Sequence, residues 1–323
     1  MSVRRMAVRS VVVAVAALLL AGGGFVLWAS ISTERSMARA IDTHEVDFPV
    51  PFPLDPEEVS REGLTEEEAR AVALERAQAR GRHLVEARYA CAECHGSDYG
   101  GGVMVDAFPI GRLLGPNLTR GEGGITGGYT VADWDRIVRH GVRPDGRPAI
   151  MPSEDFLLMS DQELSDIIAY LESVPPVDNE VPPSRLGPLG RVLVARGEIV
   201  FSADLIGPHD TPHPVLPPPA EVSVEFGRHL AGVCTGCHGM QLTGGRIAGG
   251  DPSWVPAADL TPSGLDGWDY ADFRLAMLEN RRPDGSEIRE PMTFVSPFAQ
   301  NMTEVEMQAL WVYLQSLPSS SME

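Results

Sequence analysis

With 323 residues, 43% of them hydrophobic, the chain has room for roughly two packed cores and is too apolar to be a disordered polymer. Its formal charge is −19. All 26 basic residues are arginine, and since residues 1–30 carry three arginines and no acid, the rest of the chain carries −22. Nucleic acid is excluded as a partner, because holding a phosphate backbone needs clustered positive charge that displaces counterions. Such a surface suits basic or neutral partners, or serves solubility.

Arg4, Arg5 and Arg9 give residues 1–10 the character of a cytoplasmic basic N-terminus. The uncharged run Val11–Ile31 that follows is 21 residues long, enough to cross about 30 Å of hydrocarbon as one helix. The basic flank stays inside, so the remainder is expected outside a single-pass inner (cytoplasmic) membrane helix, in the periplasm or beyond the cell. A signal peptide cleaved near Ala29 is the competing reading, and it exports the same residues. Residues 32–64 read as a Pro-rich acidic spacer.

From Thr65 the pattern is helical. Thr65 with Glu68 predicts a capping box opening a helix to about Arg80, a second helix leads into Cys91, and 131–140 predicts another. Ser160 with Glu163 opens a closing helix whose Leu164, Ile167, Ile168 and Leu171 form one apolar stripe. Residues 227–317 then repeat 81–174. Gly81-Arg82-His83-Leu84 returns as Gly227-Arg228-His229-Leu230, Asn117-Leu118-Thr119 as Asp259-Leu260-Thr261, and Thr303 with Glu306 opens a second closing helix. The expected architecture is therefore all-α: an N-terminal transmembrane helix, one domain over 65–175, a Pro-rich linker over 176–222, a second domain over 223–318 and a tail at 319–323. Helices joined by long Gly- and Pro-rich loops suggest a core filled by something besides side chains.

Each repeat contains CxxCH, as Cys91-Ala92-Glu93-Cys94-His95 and Cys234-Thr235-Gly236-Cys237-His238. Disulfides and a zinc site fit poorly, because the pairs stand about 140 residues apart and thiols two residues apart rarely bridge without a redox role. Covalent haem attachment fits: two thioethers to the macrocycle, with the adjacent imidazole beneath the iron. On these motifs each repeat resembles a class I c-type cytochrome domain. GPNLT, DGRPAIMP and AYLESVPP are similar to the cytochrome subunits of membrane-bound bacterial dehydrogenases. The resemblance implies two covalently bound haem c groups, with Cys91, Cys94 and His95 holding one and Cys234, Cys237 and His238 the other.

Family spacing places a methionine ligand shortly before the last helix. Met151 stands 56 residues past His95 and Met292 stands 54 past His238, so the iron ligands implied are His95 with Met151 and His238 with Met292. Met104 and Met240 lie too near their own CxxCH, and Met159 and Met302 read as core contacts. Pro116 matches the family proline whose carbonyl fixes the proximal imidazole; in the second repeat the nearest proline is Pro256, displaced by two positions. Trp134 and Phe273 read as packing residues, while Tyr170 and Tyr313 either contact haem or line the helix interface. His83 and His229 are expected to be exposed on the leading helices, and His140, His209 and His213 to lie at the surface. Arg82 and Arg228 are candidate partners for haem propionates.

The expected function is a membrane-anchored dihaem cytochrome that relays single electrons and is not itself an enzyme. Its donor would be a dehydrogenase or quinol-oxidising complex, and its acceptor a soluble cytochrome, a terminal oxidase or a reaction centre. It would work alone or as a subunit of a larger complex. The enzymatic alternative is a dihaem peroxidase, which needs one open iron site and acid/base groups beside it.

Overall fold

The computed structural model of the chain describes residues 3–247, 250–251 and 253–319. Residues 1–2 of the basic N-terminus, residues 320–323 of the tail and the side chains of Arg4, Arg5 and Arg9 lie outside the described set. Helix α1 (Val3–Ala38) extends the apolar run at both ends. It is long and apolar enough to cross a membrane, and almost none of its apolar stretch is buried within the protein.

After α2 (Pro56–Glu62), α3 (Glu66–His83) opens on the Thr65–Glu68 capping box. Where two helices were expected, α3 runs on through a π-helical turn, Leu84–Arg88, to the short α4 (Cys91–His95). α5 (Val131–His140) opens on a box between Thr130 and Asp133, and α6 (Asp161–Leu171) on Ser160–Glu163. In each box a side-chain oxygen and a carboxylate satisfy backbone donors that the first turn leaves free, worth about 1 kcal/mol per cap.

The chain is largely helical, with one departure from the all-α expectation. Among the described residues a small antiparallel sheet follows α4: β1 (Gly102–Ala107) pairs with β2 (Gly111–Gly115), and β2 with β3 (Arg185–Leu186) from the linker. A register break between Val103 and Val105 spoils the two-residue alternation that would mark a strand, and the third strand comes from 70 positions downstream. The hairpin lies against α4: a Cβ on Gly115 would stand 2.0 Å from the Cys94 carbonyl oxygen.

The linker is more ordered than a semi-stiff connector. It contains α7 (Pro188–Ala195), packed along α1, and α8 (Ser202–Leu205). Ala29 and Thr33 of α1 are buried, Thr33 Oγ1 donates to the Arg191 carbonyl at 2.8 Å, and Glu34 pairs with Arg191 at 2.8 Å. The acidic spacer also folds onto the first repeat, burying Phe48 in its core, with Ser165 Oγ donating to the Pro49 carbonyl.

The second repeat comprises α9 (Val224–Leu230), a 3-10 turn (Ala231–Cys234), α10 (Thr235–His238), α11 (Tyr270–Glu279), α12 (Ser296–Ala299) and α13 (Glu304–Ser316). Two hydrophobic clusters result, one around Leu84, Trp134, Met159 and Leu164, the other around Phe226, Phe273, Met307 and Leu310. Each is built on one crossing of helices, α3 on α6 and α9 on α13. Glycine is needed at both crossings. A Cβ on Gly81 would lie 2.0 Å from the Asp166 carbonyl oxygen, and one on Gly227 2.0 Å from that of Ala309. Tyr170 and Tyr313 flank these crossings, their Cβ atoms at 2.8 and 2.6 Å from the same positions.

His83 and His229 are not free helix residues. His83 Nε2 contacts Glu306 at 2.8 Å and His229 Nε2 contacts Glu163 at 2.8 Å, each reaching the other repeat. Arg88 lies between, bonding Glu163 at 3.0 Å and Glu306 at 2.5 Å, with its guanidinium over the Phe226 ring. His140 is likewise buried, and His209 and His213 bond to it. The expectation of a surface position fails for His140, while His209 and His213 are half-buried.

Candidate functional site

α4 is one helical turn, so the thiols of Cys91 and Cys94 rise on one side of it and His95 closes it. Gly96, at φ +81°, then turns the chain away. The thiols are half-buried and unpaired. Burial, with Cys94 beside it, pushes Cys91 up to about 12; burial, Asp155 and Cys237 do the same to Cys234. Neither is a thiolate at neutral pH, which removes the nucleophile that thiol–disulfide exchange requires.

His95 Nδ1 donates to the Pro116 carbonyl oxygen at 2.9 Å. Burial lowers the pKa of this imidazole against the opposing effect of that bond, so the neutral ring keeps its lone pair on Nε2. In the second repeat the partner is the carbonyl of Ala258, at 2.7 Å from His238 Nδ1, and burial lowers His238 in the same way. Pro256 does not take this role. Ala258 is the residue aligned with Pro116 when Asn117-Leu118-Thr119 is laid on Asp259-Leu260-Thr261, so the repeat itself held the signal. The bond uses a backbone oxygen, which any residue supplies.

Met151 packs against the first hydrophobic cluster and Met292 against the second, both half-buried. Met159 is fully buried in the first core, Met302 packs on the second, and Met240 is 76% exposed. Pro116 and Met151 are each followed by buried polar anchors. Asn117 Nδ2 donates to the Val177 carbonyl at 2.7 Å, while Ser153 Oγ donates to that of Ile137 at 2.9 Å. Trp134 lines a cavity of about 310 Å³ beside the first core, with Tyr129, Leu171 and Arg120. Arg82 is taken up by Glu86 at 3.0 Å on the protein surface.

These donors suit an iron porphyrin: paired apolar-set sulfurs, an oriented neutral imidazole and a thioether within each apolar cluster. The two sets are also drawn together. The 3-10 turn Ser153–Phe156, just after Met151, packs on the turn and helix that carry Cys234 to His238. Reciprocally α12, just after Met292, packs on Leu84–Arg88, which leads to Cys91.

Residues 76–171 match the family described as cytochrome c oxidase, cbb3-type, subunit III. The chain is 31% identical over 264 residues to the cytochrome c subunit of a quinone-dependent alcohol dehydrogenase from Gluconacetobacter polyoxogenes, covering 71% of this chain and 53% of that one. It is 27% identical over 256 residues to a diheme cytochrome c-type protein of Cereibacter sphaeroides, covering 71% and 82%. With the fructose dehydrogenase cytochrome subunit of Gluconobacter japonicus it shares 25% over 254 residues, covering 72% and 51%. The chain thus spans about half the length of the dehydrogenase subunits it matches.

Proposed function

Residues 76–171 form a c-type cytochrome domain, and from that premise we propose that the protein is a membrane-anchored dihaem cytochrome relaying single electrons. The family implies covalently bound haem c, and the second CxxCH, inside a repeat of the first, supports a second group. The tandem domains proposed are the repeats at 65–175 and 223–318.

The bound iron porphyrin supplies a one-electron couple at each site. Cys91 and Cys94, or Cys234 and Cys237, hold it covalently, so a small domain with long loops does not lose its cofactor. His95 Nε2 and Met151, or His238 Nε2 and Met292, would hold its iron. The Pro116 and Ala258 carbonyls fix the tautomer and rotation of each imidazole, while burial keeps the ring neutral. Iron held by two side chains would leave no place for a substrate, which separates this reading from a peroxidase. The observation that carries the relay is the packing of Ser153–Phe156, following Met151, onto the second CxxCH.

The proposed donor is a dehydrogenase or quinol-oxidising complex, since relatives are named as cytochrome subunits of alcohol and fructose dehydrogenases. The acceptor proposed is a soluble cytochrome, a terminal oxidase or a reaction centre. The strongly acidic exported part favours a partner with a basic face. α1 anchors the protein in the inner membrane with both repeats on the periplasmic side.

The test is a redox titration of the detergent-purified protein with optical and EPR spectra. Two low-spin components with distinct midpoints are expected, and Met151→Ala and Met292→Ala should each convert a different one. A protein without porphyrin, or variants that leave both components unchanged, would overturn the assignment.

A further inference from the structure

Half of the chain's eight histidines meet at one buried point that neither CxxCH uses. His140, at the end of α5, is 1% exposed, and one turn before it Asp135 is 1% exposed. His44 comes from the acidic spacer, while His209 and His213 come from the Pro-rich linker. The ring nitrogens of His44 and His140 and a carboxylate oxygen of Asp135 lie within 4.8 Å of one another. His213 Nε2 is 3.3 Å from His140 Nε2, and Asp135 Oδ2 is 3.5 Å from that same nitrogen.

The bonding around the cluster fixes where the protons are. A carbonyl can only accept, so His213 Nδ1 donates to Leu157 at 3.1 Å and His209 Nε2 donates to Ala203 at 2.9 Å. The inward nitrogen of each neutral ring, His213 Nε2 and His209 Nδ1, is then a lone pair. His209 Nδ1 faces His140 Nδ1 at 3.1 Å, so His140 donates there and its own Nε2 is a lone pair too. Asp135 Oδ2 is buried with no hydrogen-bond partner, its other oxygen being held by Arg139 at 2.8 Å. His140 Nε2 thus has two further acceptor atoms within 3.5 Å, three acceptors in all with no donor among them. A single proton can bridge two of them, not all three.

We propose that His140 Nε2, His213 Nε2, Asp135 Oδ2 and a ring nitrogen of His44 bind one divalent transition-metal ion, zinc fitting best. Imidazole and carboxylate ligands suit zinc, and bonds of about 2.0–2.1 Å in a tetrahedron place neighbouring ligand atoms about 3.3–3.4 Å apart. Two of the six ligand separations, 3.3 and 3.5 Å, match that edge, and the His44 nitrogen lies within 4.8 Å of the Asp135 and His140 atoms. The outer bonds of His213 to a carbonyl, and of His140 to His209, are those that orient metal-binding imidazoles. Charge balances as well: Arg139 is shared between Asp135 at 2.6 Å and Asp161 at 2.8 Å, leaving one net negative charge beside the ligand nitrogens. The ion staples the spacer, α5 and the linker, three segments that sequence alone leaves independent. This site does not depend on the haem reading.

The test uses the full chain with its iron retained, dialysed against a chelator, then incubated with zinc alone and analysed for zinc and iron per chain. One zinc ion per chain is expected, and its removal should lower the unfolding temperature. His213→Ala and His44→Ala should lose the zinc while keeping the iron. X-ray absorption at the zinc edge of the wild-type protein, which needs no variant to fold, should show nitrogen and oxygen ligands only. Failure to bind zinc, equal binding by both variants, or sulfur coordination would each overturn the proposal.

Discussion

His83 Nε2 contacts Glu306 Oε1 at 2.8 Å across the boundary between the repeats, and the equivalent His229 contacts the equivalent Glu163 at the same distance. Each carboxylate is also the capping-box residue of its own closing helix. Burial raises the Glu306 pKa, but the His83 bond and Arg88 outweigh it and hold the group at about 2, and Glu163 is lowered by His229 and Arg88 against its own burial.

A depressed carboxylate stabilises the fold above its unfolded value and loses that contribution as pH falls through the folded one. For Glu306 the window runs from 4.5 down to about 2, worth about 3 kcal/mol when complete. Glu306→Gln keeps the capping geometry and removes the charge. Urea unfolding at pH 7 and pH 3 should show the wild type losing stability on acidification and the variant, already weakened at pH 7, losing less. Parallel acid profiles would refute the pairing.

Gly81→Ala and Gly227→Ala each drive a methyl group to 2.0 Å from a carbonyl oxygen of the crossing helix. Neither helix can yield without opening its core, so a loss of about 3 kcal/mol or more is expected, as for severe overpacking. Gly127→Ala, with nothing within 4 Å, serves as the control and should change little. Thermal unfolding of the three variants distinguishes them.

Pro116→Ala keeps the carbonyl that accepts from His95, and Ala258 already serves His238 in this way. The variant's low-spin optical spectrum should match the wild type. A high-spin species or a displaced imidazole signal would mean that the proline ring, and not its oxygen, positions the histidine.

Asp155 sits against Gly236, inside the second CxxCH. Burial and the charge of Glu154 push it up to about 7, outweighing the Gly236 amide. It is neutral below that pH and ionised above it. A new negative charge beside the proposed second haem would favour its ferric state, so one of the two midpoints expected should fall as pH rises through 7. Asp155→Asn should flatten that dependence and leave the other midpoint unaltered, which a titration at pH 6 and pH 8 measures.

Local signals in the sequence were legible. Ser160 with Glu163, or Thr303 with Glu306, is a three-residue pattern, and CxxCH is complete within five residues. What escaped were relationships across distance. His83 finds its carboxylate 223 positions away, and a histidine on a leading helix carries no mark of that. His44, His140 and His213 are spread over a spacer, a helix and a linker, and only the folding of the Pro-rich segments onto α5 unites them. The sheet was hidden by a register break at Met104 and by a third strand of two residues.

The end of α1 is not a leash. Thr33 and Glu34 are held by Arg191, and Arg39 by Asp204 at 2.5 Å, so the helix leaves the proposed bilayer already clamped to the folded body. Height and tilt above the lipid then become properties of the fold. A membrane-bound redox partner would meet the same face on every encounter, and its search would reduce to sliding in a plane.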